Sequence, residues 1–170
     1  MKFINQKNSK LFGQILVALF LAAFTLEGVS MSLFTKTEEE VVLCSEMEGQ
    51  ITFNGKPVKD VKVERWIKWK DETGEKDSVV TDDNGFFRLP IRKETVKMGG
   101  FSQFVVAQEI RAYYQSTEYP IWAKAKREKG EFAELKGKPL NFRCELTDEL
   151  VAVNSGRGTL MTSCKWDGLN

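Results

Sequence analysis

The feature that most constrains this chain is an alternation of apolar and polar residues, broken by strong turn signals, across residues 48–90 (EGQITFNGKPVKDVKVERWIKWKDETGEKDSVVTDDNGFFRLP). Alternation with period two places every second side chain on one face of a strand, so such runs belong in a sheet with one face buried. Asn54-Gly55-Lys56-Pro57 and Asp82-Asp83-Asn84-Gly85 interrupt the runs. Asn and Gly tolerate positive φ and Pro presets its own φ, so both interruptions are turns for a physical reason.

Residues 50–53 read as one strand, with Ile51 and Phe53 sharing a face. In residues 58–70, Val61, Val63, Ile67 and Trp69 share a face, opposite Lys62, Glu64, Trp66 and Lys68. Arg65 falls on the apolar face. We expect a bulge near it or a stem that snorkels to solvent, the alternative being a buried guanidinium–carboxylate pair. Residues 71–77 are a solvated loop, 79–81 a short strand, and Asp82-Asp83-Asn84-Gly85 closes a hairpin. Beyond it Phe87, Leu89 and Ile91 face in, with Phe86 and Arg88 out. The tetrapeptide lacks the later acidic ligands of a calcium loop, so no metal is expected there.

Residues 93–100 read as a linker. The β-branched and aromatic content of 103–114 favours a strand with Phe104, Val106, Ile110, Ala112 and Tyr114 on one parity. Residues 115–118 turn, and 119–126 return with Ile121, Ala123 and Ala125 in and Trp122, Lys124 and Lys126 out. A charged segment, 127–138, follows. Leu140, Phe142, Cys144 and Leu146 alternate inward, 147–158 is a polar loop, and Leu160, Cys164 and Trp166 share a face of the last strand, 159–166. About seven to nine short strands without a convincing helix describe an all-β chain folded as a single antiparallel β-sandwich, Greek-key in type and Ig-like in class.

The first thirty residues are of another kind. Lys2, Lys7 and Lys10 precede an apolar run over 11–26, and Gly28-Val29-Ser30 offers a small-residue exit. This reads as a secretory signal peptide cut before Met31. An uncleaved inner-membrane anchor is the second reading. Translation from Met31 is the third, and would leave the protein cytoplasmic. The expected organisation is residues 1–30 as signal peptide or anchor, 31–46 as linker with a candidate first strand at 41–45, and 47–170 as the sandwich. The location is then periplasmic or secreted, or anchored facing the periplasm, with membrane contact only through an uncleaved N-terminal segment.

Composition narrows the chemistry. The chain has no histidine, and its 25 Lys plus Arg nearly balance 24 Asp plus Glu. Histidine-based general-base catalysis, Ser-His-Asp and Cys-His nucleophiles, and His-ligated zinc are therefore excluded. Near-neutral charge argues against nucleic acid as partner. No catalytic, cofactor-binding or metal-binding residue is assigned, and no cofactor is expected. Three cysteines are too few to build a scaffold. Cys144 and Cys164 share inward parity, so export implies a bridge between them, while a reducing compartment leaves both as small core residues. Cys44 has no activating neighbour in sequence and reads as a core or edge thiol.

Gly49-Gln50-Ile51, Gly55-Lys56-Pro57-Val58, Val61-Lys62-Val63 and Thr81-Asp82-Asp83-Asn84-Gly85-Phe86-Phe87-Arg88-Leu89-Pro90 together resemble the carboxypeptidase-regulatory-like, or transthyretin-like, β-sandwich module. From Met31 onward the chain also resembles an uncharacterised family of small proteobacterial proteins. These begin near M-S-L-F and end in a strand pair, here Cys144-Glu145-Leu146 and Cys164-Lys165-Trp166. The resemblance implies adhesion, transport or accessory roles and no catalytic residue.

The leading expectation is therefore a non-catalytic binding or accessory protein of the bacterial envelope, with another protein as partner, as in an immunity or accessory factor to a secreted effector. Candidate contacts are the outward aromatics Trp66, Phe86 and Trp122 and the basic Lys124, Lys126 and Arg127. A carbohydrate-binding face using Trp66, Trp69, Tyr113, Tyr114 and Trp122 is the alternative. A hydrolase built on Glu64, Asp82 and Glu109 is the third reading.

Overall fold

The computed structural model describes residues 36–71, 73–99 and 102–166. Residues 1–30, read above as signal peptide or anchor, lie outside them, as do residues 31–35. Among the described residues the regular structure is β, apart from one 3₁₀ turn at Ala133–Leu135. The strands are β1 (Thr37–Cys44), β2 (Met47–Phe53), β3 (Lys56–Pro57), β4 (Lys62–Lys68), β5 (Glu75–Val80), β6 (Phe86–Leu89), β7 (Arg92–Met98), β8 (Val106–Tyr114), β9 (Thr117–Lys126), β10 (Leu140–Glu145), β11 (Val151–Asn154), β12 (Thr159–Thr162) and β13 (Cys164–Lys165). The described residues divide into two units, a smaller one with 36–38, 97–99 and 102 and a larger one with 39–71, 73–96 and 103–166. In the smaller unit Lys97 pairs with Glu38 at 2.9 Å.

The larger unit holds two principal sheets. One is six-stranded and antiparallel throughout, in the order β11-β12-β9-β8-β4-β5. The other runs β13-β10-β2-β3, with β6 also paired to β2. The antiparallel sandwich expected from sequence is thus present, with one exception inside it. β2 and β10 run parallel, Ile51 beside Cys144 and Gly49 beside Phe142. A Cβ on Gly49 would lie 2.6 Å from the Phe142 carbonyl, so this close approach needs glycine.

The core forms where the inward faces meet. Met47, Ile51, Leu89, Leu140 and Phe142 come from the smaller sheet; Val63, Ile67, Val106, Ile110 and Leu160 from the larger. Trp122 and Phe142 touch across the gap with ring centroids 5.2 Å apart. The last strands change sheets within one residue: β12 ends at Thr162 on β9, and β13 begins at Cys164 on β10. There Cys164 faces Cys144 directly and the two form a disulfide.

Several expectations are corrected. The Asp82-Asp83-Asn84-Gly85 turn does not close a hairpin, because β5 pairs with β4 in one sheet and β6 with β2 in the other. It is a corner between sheets, held by the Asp82 carboxylate accepting the Asn84 and Phe86 N–H groups. Residues 92–98 are β7 rather than linker, and pair with β1, which itself starts at Thr37 within the expected lead-in. The loop at 147–158 contains β11. Arg65 neither bulges nor snorkels: its side chain is fully buried and forks onto Asp77 at 3.0 and 2.5 Å. Its third nitrogen donates to the Pro90 carbonyl at 2.7 Å.

The largest correction concerns β9. Ile110 pairs with Trp122 and Arg111 with Pro120, which leaves Ile121 without a partner on β8. One extra residue in a strand reverses the parity of everything after it. Ile121 and Trp122 are consequently both buried, and Lys124 and Lys126 follow Trp122 inward while Ala125 faces out. The outward placement expected for Trp122, Lys124 and Lys126 does not hold. Arg127, one residue beyond the strand, is exposed as expected.

Candidate functional site

Three clusters hold the chemistry-bearing side chains of the larger unit. The first is the outer face of the smaller sheet. Alternation on β2, β6 and β10 turns Glu48 and Gln50, Phe86 and Arg88, and Asn141 and Arg143 outward. Phe86 is 52% exposed, a large uncovered area for an aromatic ring. It sits between two shallow depressions. One, of about 590 Å³, runs toward Val79 and Val80 on edge strand β5; the other, of about 650 Å³, runs toward Lys138, Arg143 and Trp166. Arg88 pairs with Glu46 and Lys165 with Asp148. Among the described residues no carboxylate lies within salt-bridge distance of Lys138 or Arg143. The face therefore joins an exposed ring to a rim that is cationic toward Lys138, Arg143 and Lys165 and carries Glu48, Asp82 and Arg88 on its other side.

The second cluster is the outer face of the six-stranded sheet. Trp66 lies there, half-buried, with the Lys68 ammonium 3.7 Å and the Lys76 ammonium 4.6 Å from its ring centroid. Its indole N–H donates to the Thr73 carbonyl. Cation–π contact on the ring and a satisfied N–H leave Trp66 engaged within its own chain. Around it Glu64 bridges Lys62 and Lys76, and Glu109 pairs with Lys68 and Arg111. Hydrogen bonds from Lys62 and Lys76 hold the Glu64 carboxyl below its ordinary range. For Glu109, partial burial opposes ionisation but Arg111 and Lys68 outweigh it, and the shift is again downward.

These positions bear on the other sequence-based readings. Glu64 and Glu109 are neighbours on one face, while Asp82 is used in the corner between the sheets. The five residues of the carbohydrate reading do not form one platform. Trp122 is buried, Trp69 packs on Phe104 with centroids 4.9 Å apart, and Tyr114 packs on Phe53 at 5.3 Å.

The third cluster is interior. The 3₁₀ turn, flanked by Phe132 and Lys136 in left-handed conformation, points Glu134 into the sandwich, where it is fully buried. Its Oε1 accepts the Ser45 N–H at 3.0 Å, Gln108 Nε2 at 3.0 Å and Lys126 Nζ at 3.1 Å; its Oε2 accepts the Ser45 hydroxyl at 2.8 Å. Burial alone would raise the Glu134 pKa, but Lys126, the Ser45 N–H and Gln108 reverse this and keep it ionised. Lys126 also donates to the Gly130 carbonyl, and Gln108 to that of Leu43. Lys124, nearby but separate, donates to the Ser155 hydroxyl at 2.7 Å, and burial lowers its pKa. Cys44, fully buried, is pushed up to about 12 by desolvation despite the Arg65 charge, so its thiol is inert at neutral pH.

Sequence reasoning missed Ser45 and Glu134 because nothing in their local pattern marks them as buried, and it missed Gln108 as well. A polar residue at position 108 on an otherwise apolar parity was the one available signal. Arg143, Lys138 and Asn141 around Phe86 were missed because they come from segments remote in sequence. Among the described residues no group of three or more Cys, Asp or Glu side chains is placed to hold a metal ion. No helix among them is long and apolar enough to cross a membrane. Residues 47–149, from β2 to the loop after β10, match a family described as a domain of unknown function, DUF6795. No curated protein and no solved structure matches the chain.

Proposed function

The chain belongs to the DUF6795 family, and from that premise we propose that it is a non-catalytic binding or accessory protein of the bacterial envelope, acting through contacts with another protein. The observation that carries this reading is Phe86, held more than half exposed on β6 at the edge of a sheet face that no other described residue covers, beside the cationic Lys138 and Arg143. Exposed aromatics flanked by arginine are the residue types enriched at interface hot spots. The fold relationship that fits best is the transthyretin-like module, a scaffold that presents sheet faces and loops to partners. An immunity or accessory role toward a secreted effector accords with that mode of action.

The envelope location rests on reading residues 1–30 as a signal peptide or anchor and draws weak support from the Cys144–Cys164 disulfide, since such bonds persist in oxidising compartments. Intact mass of the native protein from fractionated cells, with and without reduction before alkylation, tests the location. A periplasmic species with two protected thiols supports export; a cytoplasmic species with three free thiols refutes it. The binding face is tested by a photo-crosslinking amino acid placed at position 86 and, as control, at Met161 on the opposite sheet. The expected result is a discrete adduct from position 86 alone. Phe86→Ser should abolish binding of the captured partner while moving stability by less than about 0.5 kcal/mol, as for an exposed side chain. Equal adducts from both positions would refute the assignment of the face.

A further inference from the structure

The interior cluster places an amine and a carboxamide on one carboxylate oxygen. Lys126 Nζ lies 3.1 Å and Gln108 Nε2 3.0 Å from Oε1 of Glu134. The indole N–H of Trp122 donates to Gln108 Oε1 at 3.4 Å. All four side chains are at most 1% exposed. Gln108 and Lys126 project from the inner faces of adjacent strands one diagonal step apart, Gln108 facing Lys124 and Val106 facing Lys126 across the ladder. Diagonal neighbours in a sheet lie within reach of long side chains.

The groups that amide transfer requires are gathered around one carboxylate oxygen. The nucleophile is an amine with a base in contact, the electrophile is a carbonyl whose oxygen accepts an N–H, and the leaving nitrogen touches the same carboxylate. Water, which would keep the ammonium solvated and compete as nucleophile, is excluded by burial. Lys124 faces Gln108 directly, but its ammonium is held by Ser155 and makes no contact with Glu134. The geometry thus selects Lys126.

We propose that Lys126 and Gln108 join in an intramolecular isopeptide bond, formed by the folded chain itself with Glu134 as the proton-transferring catalytic residue. Glu134 accepts a proton from the Lys126 ammonium, and the freed amine attacks Cδ of Gln108. Negative charge gathers on Oε1 beside the Trp122 N–H. Glu134 returns its proton to Nε2, the Cδ–Nε2 bond breaks, and ammonia departs. The carboxylate then takes the remaining extra proton from the new amide nitrogen and passes it to the ammonia. The sum is an ammonium and a carboxamide converted to a secondary amide and an ammonium ion, with no oxidant, reductant or cofactor. The separate side chains described above are the state before bond formation.

This proposal is independent of the binding face around Phe86. Its test is the intact mass of the full denatured chain, followed by tandem mass spectrometry of its peptides. The expected result is a deficit of one ammonia, beyond the hydrogens lost to the disulfide, and a branched peptide joining residues 108 and 126. Lys126→Arg should restore the full mass. Should that variant not fold, the wild-type peptide map decides on its own. Full mass in the wild type overturns the proposal. So does an ammonia deficit that maps to a succinimide at Asn54-Gly55 or Asn84-Gly85, or a loss of water joining Lys126 to Glu134.

Discussion

Removing Asp77 should damage this protein more than removing the buried arginine it serves. Arg65 is fully buried, and two of its nitrogens fork onto the Asp77 carboxylate, whose side chain keeps 29% of its exposure. Asp77→Ala leaves the guanidinium buried with the Pro90 carbonyl as its remaining partner. Breaking a buried pair from one side costs about 3–5 kcal/mol, and water reaching the vacated Asp77 position places the cost near the lower end, about 3 kcal/mol. Arg65→Met behaves differently. It removes the charge together with its desolvation penalty, keeps most of the volume, and leaves Asp77 able to meet solvent, at a cost of about 1 kcal/mol. The double variant should then resemble Arg65→Met, because once the arginine is gone the carboxylate has nothing left to neutralise. Urea unfolding followed by tryptophan fluorescence, with midpoints compared at constant slope, measures all three. If Asp77→Ala were no worse than Arg65→Met, the pair would not be the compensated buried charge described here.

The remaining predictions concern the disulfide, pH and one glycine. Reduction of Cys144–Cys164, which spans 20 residues, should lower unfolding free energy by about 3 kcal/mol in the chain-entropy model; an unchanged urea midpoint in reductant would contradict it. Glu145 is partly buried, which opposes ionisation, but hydrogen bonds from the Thr147 hydroxyl, the Gly55 and Thr147 N–H groups and the Thr52 hydroxyl lower its carboxyl to about 2. Because the folded value lies below the unfolded one, its stabilisation is complete above the unfolded pKa and is lost as pH falls toward about 2. Glu145→Gln should therefore cost stability at pH 7 and progressively less in acid, and equal losses at both ends of a urea–pH series would refute this. Gly49→Ala should cost about 2 kcal/mol or more, since its Cβ meets a backbone carbonyl at 2.6 Å, while Gly130→Ala, with nothing within 4 Å, should be nearly neutral. Thermal unfolding of the two variants side by side checks the contrast.

Much of the sheet grammar was legible in the sequence, because period-two alternation and Asn-Gly turns are local signals. The faces of β4, β6 and β10 came out as their alternation implies, and the shared inward parity of Cys144 and Cys164 made a bridge between them the expectation for an exported chain. The failures share a cause, which is that pairing is not local. Nothing in residues 81–86 says that the strands on either side enter different sheets. Nothing in residues 92–98 reveals that β1 is waiting as a partner. Arg65 looked like an intruder because its carboxylate is twelve residues away on the neighbouring strand. The Phe86 face was half legible: the outward ring could be read from β6, but its cationic rim assembles from β10 and the segment before it.

β9 shows how little separates two very different interiors. Ile121 acts as a phase slip in the strand's wave: Tyr119 before it and Trp122, Lys124 and Lys126 after it all lean inward, although simple counting sets them on opposite sides. Move that slip past Lys126 and both lysines go to water while Ala123 and Ala125 take their places, with composition and hydropathy profile untouched. Chains built on this template can therefore gain or lose an interior ionic centre by relocating a single residue, and two sequences that look alike along β9 need not share the same heart.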